Sequence, residues 1–154
     1  MHPQRFALIG GLVMLLVGLA AFVPALSWNS ETLPPLINET SYGLFLGLFP
    51  MNVVNKVAMV LFGLGGIFAW SRKGTELPAS VRYSRVVLFV MGALAILGLI
   101  PATNTLFGYW PLFGNEVYAH AAFALLGAYF GYALSAKVPE DRTGRHLPRE
   151  SLAR

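Results

Sequence analysis

The chain has 154 residues, of which 56% are hydrophobic and 12% are charged, and its net charge is +4. A water-soluble domain of this length buries only about 70% of its unfolded surface, so a chain this apolar would leave a strongly hydrophobic exterior in water. This composition predicts an integral membrane protein surrounded by a lipid bilayer, and the absence of cysteine excludes disulfides, thiolate metal sites and cysteine nucleophiles.

Four apolar segments follow one another along the chain, at about 6–26, 51–70, 83–102 and 117–136. Each has about 20 residues, enough for a helix to cross a hydrocarbon core of roughly 30 Å. We therefore expect an all-α fold, an integral membrane four-helix bundle in residues 1–136. Residues 137–154 are polar, and we expect them to form a cytoplasmic tail.

Positive charge is distributed unevenly between the two sides of these segments. Ten of the eleven Lys and Arg residues lie before the first segment, in or beside the connection between the second and third segments, or after the fourth segment. Lys56 is the exception. The first and third connections carry Glu but neither Lys nor Arg. The positive-inside rule therefore predicts that both termini are cytoplasmic, in a bacterial inner or thylakoid-type membrane. Because the cations follow topology and are not grouped with aromatic residues, we do not expect nucleic acid as a partner.

The two halves of the sequence resemble each other. Arg5 and Pro24 are separated by the same 19 residues as Arg82 and Pro101, and residues 48–63 align without gaps onto 112–127. Since both copies begin on the same side, they are predicted to be parallel repeats of one helical hairpin, related by an axis along the membrane normal. Parallel repeats favour a compact bundle over an alternating-access transporter.

A small set of polar residues lies near the outer ends of the second and fourth segments. The repeat alignment places Lys56 opposite His120 and Asn52 opposite Glu116. Glu116 and His120 share a helix face, and Lys56 is predicted to meet Glu116 across the bundle. Ionisable groups in membrane helices are costly and often functional, which indicates a proton relay, ligand or cofactor site. His120 is then a candidate axial ligand for haem or chlorophyll.

The same polar residues have a purely structural interpretation, which we favour. Lys56 lies close enough to the boundary to extend its ammonium outward, and Glu116 stands at a helix N-terminus, where negative charge is favourable. No catalytic residues and no metal site are predicted. The sole aspartate, Asp141, lies in the tail, and neither a paired-carboxylate motif nor a histidine cluster occurs.

Glycines form a second pattern in the helices. Gly127 and Gly131 have small-xxx-small spacing in the fourth segment. Gly63 and Gly66 leave part of one face of the second segment without side chains. Such positions let helix backbones approach closely. We expect them to pack within the bundle, and the alternative is a docking face for another membrane subunit.

Two motifs begin the second and fourth segments, LFPMN and NEVYAH. With the intervening sequence they make the chain, up to about residue 136, resemble the bacterial membrane family of domain of unknown function 4383. The residues that match its motifs are Asn52, Asn115, Glu116 and His120. Asn55 and Met59 stand where members of the family usually carry histidine, so the resemblance implies no histidine cluster here. Because the family has no assigned activity, the resemblance implies architecture and not mechanism.

The leading hypothesis from the sequence is a small non-enzymatic accessory or structural subunit. It would pack against other integral membrane subunits of a larger complex, such as a photosynthetic or respiratory assembly. Small size, glycine-lined faces and the lack of catalytic motifs favour this interpretation. The alternative is a small transporter or channel, or a haem- or chlorophyll-binding protein, that uses the layer of Lys56, Glu116 and His120.

Overall fold

The computed structural model describes residues 2–28 and 31–135, and the predicted tail at 137–154 lies outside these residues. The described chain is mostly helical. Its four α-helices are α1 (Pro3–Ala20), α2 (Val53–Ser71), α3 (Glu76–Leu99) and α4 (Asn115–Ala128), and a π-helical turn at Tyr129–Ala133 continues α4. Helices α1, α2 and α3 are long and apolar enough to cross a membrane. Helix α4 has 14 residues, to which the π-helical turn adds five.

The helix ends differ from three of the predicted segments. The fourth segment was expected to cross the membrane over 117–136, whereas α4 covers Asn115–Ala128, the π-helical turn ends at Ala133, and only α1, α2 and α3 among the described residues meet the length and hydropathy of a membrane span. The first segment was expected to run over 6–26, but α1 ends at Ala20 and a separate 3₁₀ turn covers Pro24–Leu26. Pro24 explains the break, because a proline disfavours helical geometry in the residue before it and lacks an N–H donor. The third segment was expected over 83–102, whereas α3 begins earlier, at Glu76, and ends at Leu99.

A small antiparallel sheet lies in the connection between α1 and α2. Its strands are β1 (Ser27–Trp28), β2 (Gly43–Phe45) and β3 (Phe49–Met51), in the order β1-β2-β3. Leu46 and Gly47 in the β2–β3 turn have positive φ angles of 53° and 70°. Two consecutive positive φ angles are typical of the central residues of a type I′ turn, and a hydrogen bond from the N–H of Leu48 to the carbonyl of Phe45 closes this turn. The all-α prediction missed this sheet; we call the end of the molecule that carries it the sheet end.

The helices pack most closely as two pairs, α1 with α2 and α3 with α4. A Cβ atom added to Gly63 would lie 2.5 Å from the backbone nitrogen of Leu15 in α1, and one added to Gly127 would lie 2.6 Å from that of Leu88 in α3. The other two glycines that were predicted to pack helices also lie at close helix contacts: Gly66 packs against Ala7, and Gly131 packs against Arg85. These four glycines therefore occupy contacts within the chain.

Helix α3 connects the two pairs, because it also packs against α1 and α2. Tyr83 of α3 donates a hydrogen bond to the carbonyl of Phe62 in α2 at 3.0 Å. Phe6 of α1 stacks on Phe130 with 4.9 Å between ring centroids. The buried apolar residues of the core are Phe6, Ala7, Met14, Ala69, Tyr83, Val87, Met91, Leu94, Leu112, Ala124 and Phe130.

Candidate functional site

A cavity of about 240 Å³ lies among the four helices at the sheet end, beneath the β2–β3 hairpin. Its wall is almost entirely apolar. Side chains from every helix, from the hairpin and from the connection before α4 line it: Val13, Met14, Val17, Phe45, Leu46, Phe49, Met51, Asn55, Ala58, Met59, Phe62, Met91, Leu94, Trp110, Glu116, Ala119, His120 and Phe123. A concave apolar site with a few polar groups is the usual form of a small-molecule site.

Three of the residues that line the cavity carry a buried polar atom with no hydrogen-bond partner. These atoms are Nε1 of Trp110, Oε1 of Glu116 and Nδ1 of His120. Leaving a buried donor or acceptor unpaired costs about 1–3 kcal/mol, and such groups are uncommon in native proteins. Two further such atoms in the described residues, Oε2 of Glu76 and Oγ of Ser80, lie outside the cavity wall, so the three around the cavity are the ones that a molecule bound there could pair with.

Glu116 and His120 are placed by the first two turns of α4. Gly114, whose φ is +64°, precedes the helix and turns the chain into it, a conformation that glycine adopts without steric cost. Glu116 then stands in the first turn, where the helix dipole favours a carboxylate. Its Oε2 lies 3.7 Å from Nε2 of His120, and the two residues are 4% and 8% exposed. The shared helix face expected from the sequence is observed.

Lys56 does not meet Glu116, so that part of the sequence interpretation is wrong. The ammonium Nζ is 2.8 Å from the carbonyl oxygen of Ser41 and 2.7 Å from its hydroxyl, and it lies 5.7 Å from the ring centroid of Phe22. Lys56 is absent from the cavity wall although it is only 2% exposed. The connection before β2 folds back over α2, and Ser41 in this connection binds the ammonium. The side chain of Lys56 therefore does not extend to α4.

Asn52 likewise has a structural position outside the cavity. It is the N-cap of α2: its side-chain oxygen accepts a hydrogen bond from the backbone of Val54, and its amide donates to the carbonyls of Asn38 and Tyr109. Asn55 accepts from the backbone of Asn52 and donates to the carbonyl of Pro111. These bonds join both connections at the sheet end to the start of α2. Of the four residues in the predicted polar layer, Asn52 and Lys56 therefore stabilise the fold at the sheet end, whereas Glu116 and His120 line the cavity.

The β2–β3 hairpin closes the sheet end of the cavity with an unusual residue. Leu46 lines the cavity, is 47% exposed and has a φ of 53°. A leucine in this left-handed region is strained, and strain of this kind concentrates at ligand-binding sites. Its exposed side chain, next to the buried Phe45 and Met51, stands at the boundary between the cavity and the exterior.

The donors around the cavity do not form a metal site. No group of three or more His, Cys, Asp or Glu residues that could hold a metal ion occurs in residues 2–28 and 31–135. A macrocycle such as the haem or chlorophyll considered for His120 also fits poorly. The cavity volume is below the roughly 300–1,000 Å³ of pockets for drug-sized ligands. A small ring with polar substituents matches both the volume and the free polar atoms.

Sequence reasoning missed two polar residues of the cavity wall, Asn55 and Trp110, and the more informative of them is Trp110. Its position at a predicted membrane boundary indicated only an interfacial aromatic residue. The available signal was an aromatic–proline pair that occurs in both outer connections, Phe49–Pro50 in the first and Trp110–Pro111 in the third. Both aromatic residues of these pairs line the cavity.

Comparison with known proteins supports the relationship inferred from the motifs. The sequence model of the family named domain of unknown function (DUF4383) matches residues 4–133. No curated protein and no solved structure matches the chain. The matched range contains α1 from its second residue onward, α2 to α4, the sheet and every residue that lines the cavity. The chain therefore belongs to the DUF4383 family.

Proposed function

We propose that this protein is a non-enzymatic membrane protein that binds a small lipid-soluble molecule in the cavity at its sheet end. The observation that carries the proposal is the grouping of unpaired atoms on Trp110, Glu116 and His120 around an otherwise apolar space. An apolar molecule with polar substituents satisfies both features. The role is assigned to binding because these side chains include no activated nucleophile or metal-ligand set of the kinds that sustain hydrolysis or group transfer.

The orientation expected from the charges places this cavity on the outer side of the membrane. Arg5, Arg72, Lys73 and Arg82 stand at the end opposite the sheet, and Lys56 is held within the fold by Ser41. With both termini cytoplasmic, a ligand would enter from the outer half of the bilayer of a bacterial inner or thylakoid-type membrane. Gly63 and Gly127, which the repeat aligns, each pack closely against the preceding helix of their own pair, and this supports a duplicated helical hairpin as the origin of the bundle.

The test is to extract and identify small molecules from protein purified from its native membrane. Ala119 lines the cavity and Ala122, on the same helix, is exposed, so Ala119→Phe fills the cavity whereas Ala122→Phe is a matched control. We expect a stoichiometric lipid-soluble compound with the wild type and with Ala122→Phe, and its loss from Ala119→Phe. Identical extracts from all three folded proteins would refute the proposal.

A second candidate is the accessory subunit favoured by the sequence. The glycines no longer support it, since their contacts lie within the chain. What favours it is a row of exposed tyrosines on one side of α4 and its π-helical turn, namely Tyr118, Tyr129 and Tyr132, which are 74%, 53% and 44% exposed. Crosslinking in native membranes from Tyr129, replaced by a photoreactive residue, would give a specific protein adduct if this face contacts another subunit, and only lipid adducts if it does not.

A further inference from the structure

The size of the cavity limits the ligand to one substituted ring or the ring-shaped head of a longer molecule. A cavity of about 150 Å³ in another protein binds benzene. The present volume of about 240 Å³ therefore has room for a six-membered ring with several methyl-sized substituents. The apolar wall, which includes Met14, Phe62 and Phe123, suits the faces of such a ring.

Trp110 specifies one polar group of this ligand. The indole Nε1–H is a donor only, and it is buried without an acceptor. Its partner must therefore be an acceptor, such as a carbonyl oxygen. A pure hydrocarbon would leave this donor unpaired.

Glu116 and His120 specify a second polar group of a different kind. A carboxyl group and an imidazole can each hold or release a proton, so each presents either a donor or an acceptor. Their side chains lie 3.7 Å apart and each has one free atom, Oε1 on Glu116 and Nδ1 on His120. Such a pair matches an oxygen that exists both as a carbonyl and as a hydroxyl.

We propose that the occupant is a lipid-soluble quinone, bound in both its quinone and quinol forms. One ring oxygen accepts a hydrogen bond from Nε1 of Trp110, and the opposite oxygen faces Glu116 and His120. In the quinone form that oxygen accepts a hydrogen bond from the pair, and in the quinol form it donates one. This assignment rests on the proposed function and adds to it the chemical class of the ligand.

Duroquinone and durene provide a matched pair of probes. Both are six-membered rings with four methyl groups, and the two remaining ring positions carry carbonyl oxygens in duroquinone and hydrogen atoms on an aromatic ring in durene. We expect both to raise the melting temperature of the purified protein in detergent, because both bury an apolar ring and bind the folded state. Each hydrogen bond should tighten the binding of duroquinone by about three- to tenfold relative to durene.

Two variants separate the polar contacts from the apolar cavity. Trp110→Phe and His120→Phe each keep an aromatic ring and remove the nitrogen atoms. Each should weaken duroquinone binding by about three- to tenfold and leave durene within about twofold. Durene binding also reports whether each variant retains a folded cavity. Trp28→Phe is the control, since Trp28 is exposed and lies outside the cavity wall.

The outcomes distinguish the two levels of the proposal. Tighter binding of duroquinone than of durene, with the difference reduced in Trp110→Phe and in His120→Phe, supports a quinone site. Equal affinities for the two probes overturn the quinone assignment but leave an apolar binding cavity. If neither probe binds the wild-type protein, the quinone assignment is overturned, and the extraction experiment alone then decides the proposed function.

Discussion

The ammonium of Lys56 in α2 donates hydrogen bonds to two oxygen atoms of Ser41, its carbonyl and its hydroxyl. Ser41 itself has a φ of 56°, in the left-handed region that non-glycine residues seldom adopt. This backbone conformation directs the carbonyl of Ser41 toward the ammonium of Lys56, a residue that is only 2% exposed. The contact fastens the connection that precedes β2 onto α2 and so positions the hairpin above the cavity.

The first prediction concerns this contact. In a double-mutant cycle, Lys56→Met and Ser41→Ala should couple by about 1 kcal/mol in the free energy of unfolding, because each removes one side of the same charged hydrogen bond. Methionine keeps the length of the lysine stem. The measurement is reversible unfolding in mixed detergent micelles.

The control for this prediction is the cycle of Lys56→Met with Glu116→Gln. It should show a coupling below about 0.5 kcal/mol, since these side chains do not meet. A larger coupling for Lys56 with Glu116 than with Ser41 would contradict the structure and restore the ion pair expected from the repeat.

The second prediction concerns the glycines between helices. Gly63→Ala should destabilise the protein by about 1–3 kcal/mol, because the new methyl group would overlap the backbone of Leu15. Gly65→Ala, two residues along the same helix, meets only the Tyr83 ring at 3.8 Å. It should be neutral or stabilising by up to about 1 kcal/mol through helix propensity. Equal effects of the two substitutions in thermal unfolding would show that Gly63 is not at a close helix contact.

The third prediction concerns pH. Burial, and then the negative charge of Glu39, raise the pKa of Tyr42 to about 12 from an ordinary value of 10.0. Its hydroxyl donates a hydrogen bond to the carbonyl of Pro34 at 3.0 Å. Since the folded pKa is the higher one, the neutral hydroxyl stabilises the fold fully below pH 10, and this contribution is lost as the pH rises toward 12.

Ultraviolet difference spectra between wild type and Tyr42→Phe isolate the ionisation of this tyrosine. We expect its midpoint well above that of a free tyrosine, and a smaller elevation in Glu39→Gln. The midpoint of a free tyrosine in the folded wild type would show that Tyr42 is not packed as described.

The sequence predicted the parts of the fold that depend on local composition. Long apolar runs identify helices because a bilayer-spanning helix needs about 20 such residues, and the start of α4 placed Glu116 and His120 on one face. The sheet was missed because its strands have two or three residues and are defined by pairing between distant positions, such as Ser27 with Phe45. Strands this short carry no readable alternation.

The residues of the candidate site were only partly predictable for the same reason. Helical spacing paired Glu116 with His120, but the partner of Lys56 depended on the course of an irregular connection. The position of Trp110 in the cavity wall depends on how the connection between α3 and α4 folds back, and local sequence does not determine that path. Small-residue spacing identified Gly63 and Gly127, yet only the packed structure assigned each to a neighbouring helix.

The most direct measurement of the central claim is the fluorescence of Trp110 during titration with duroquinone. In a Trp28→Phe/Trp70→Phe background Trp110 is the remaining tryptophan, because the chain has three. A quinone bound beside it should quench its emission in a saturable manner, and adding Ala119→Phe should abolish the saturable phase. Quenching that rises without saturation, and equally in the filled variant, would contradict the existence of a ligand site beside Trp110.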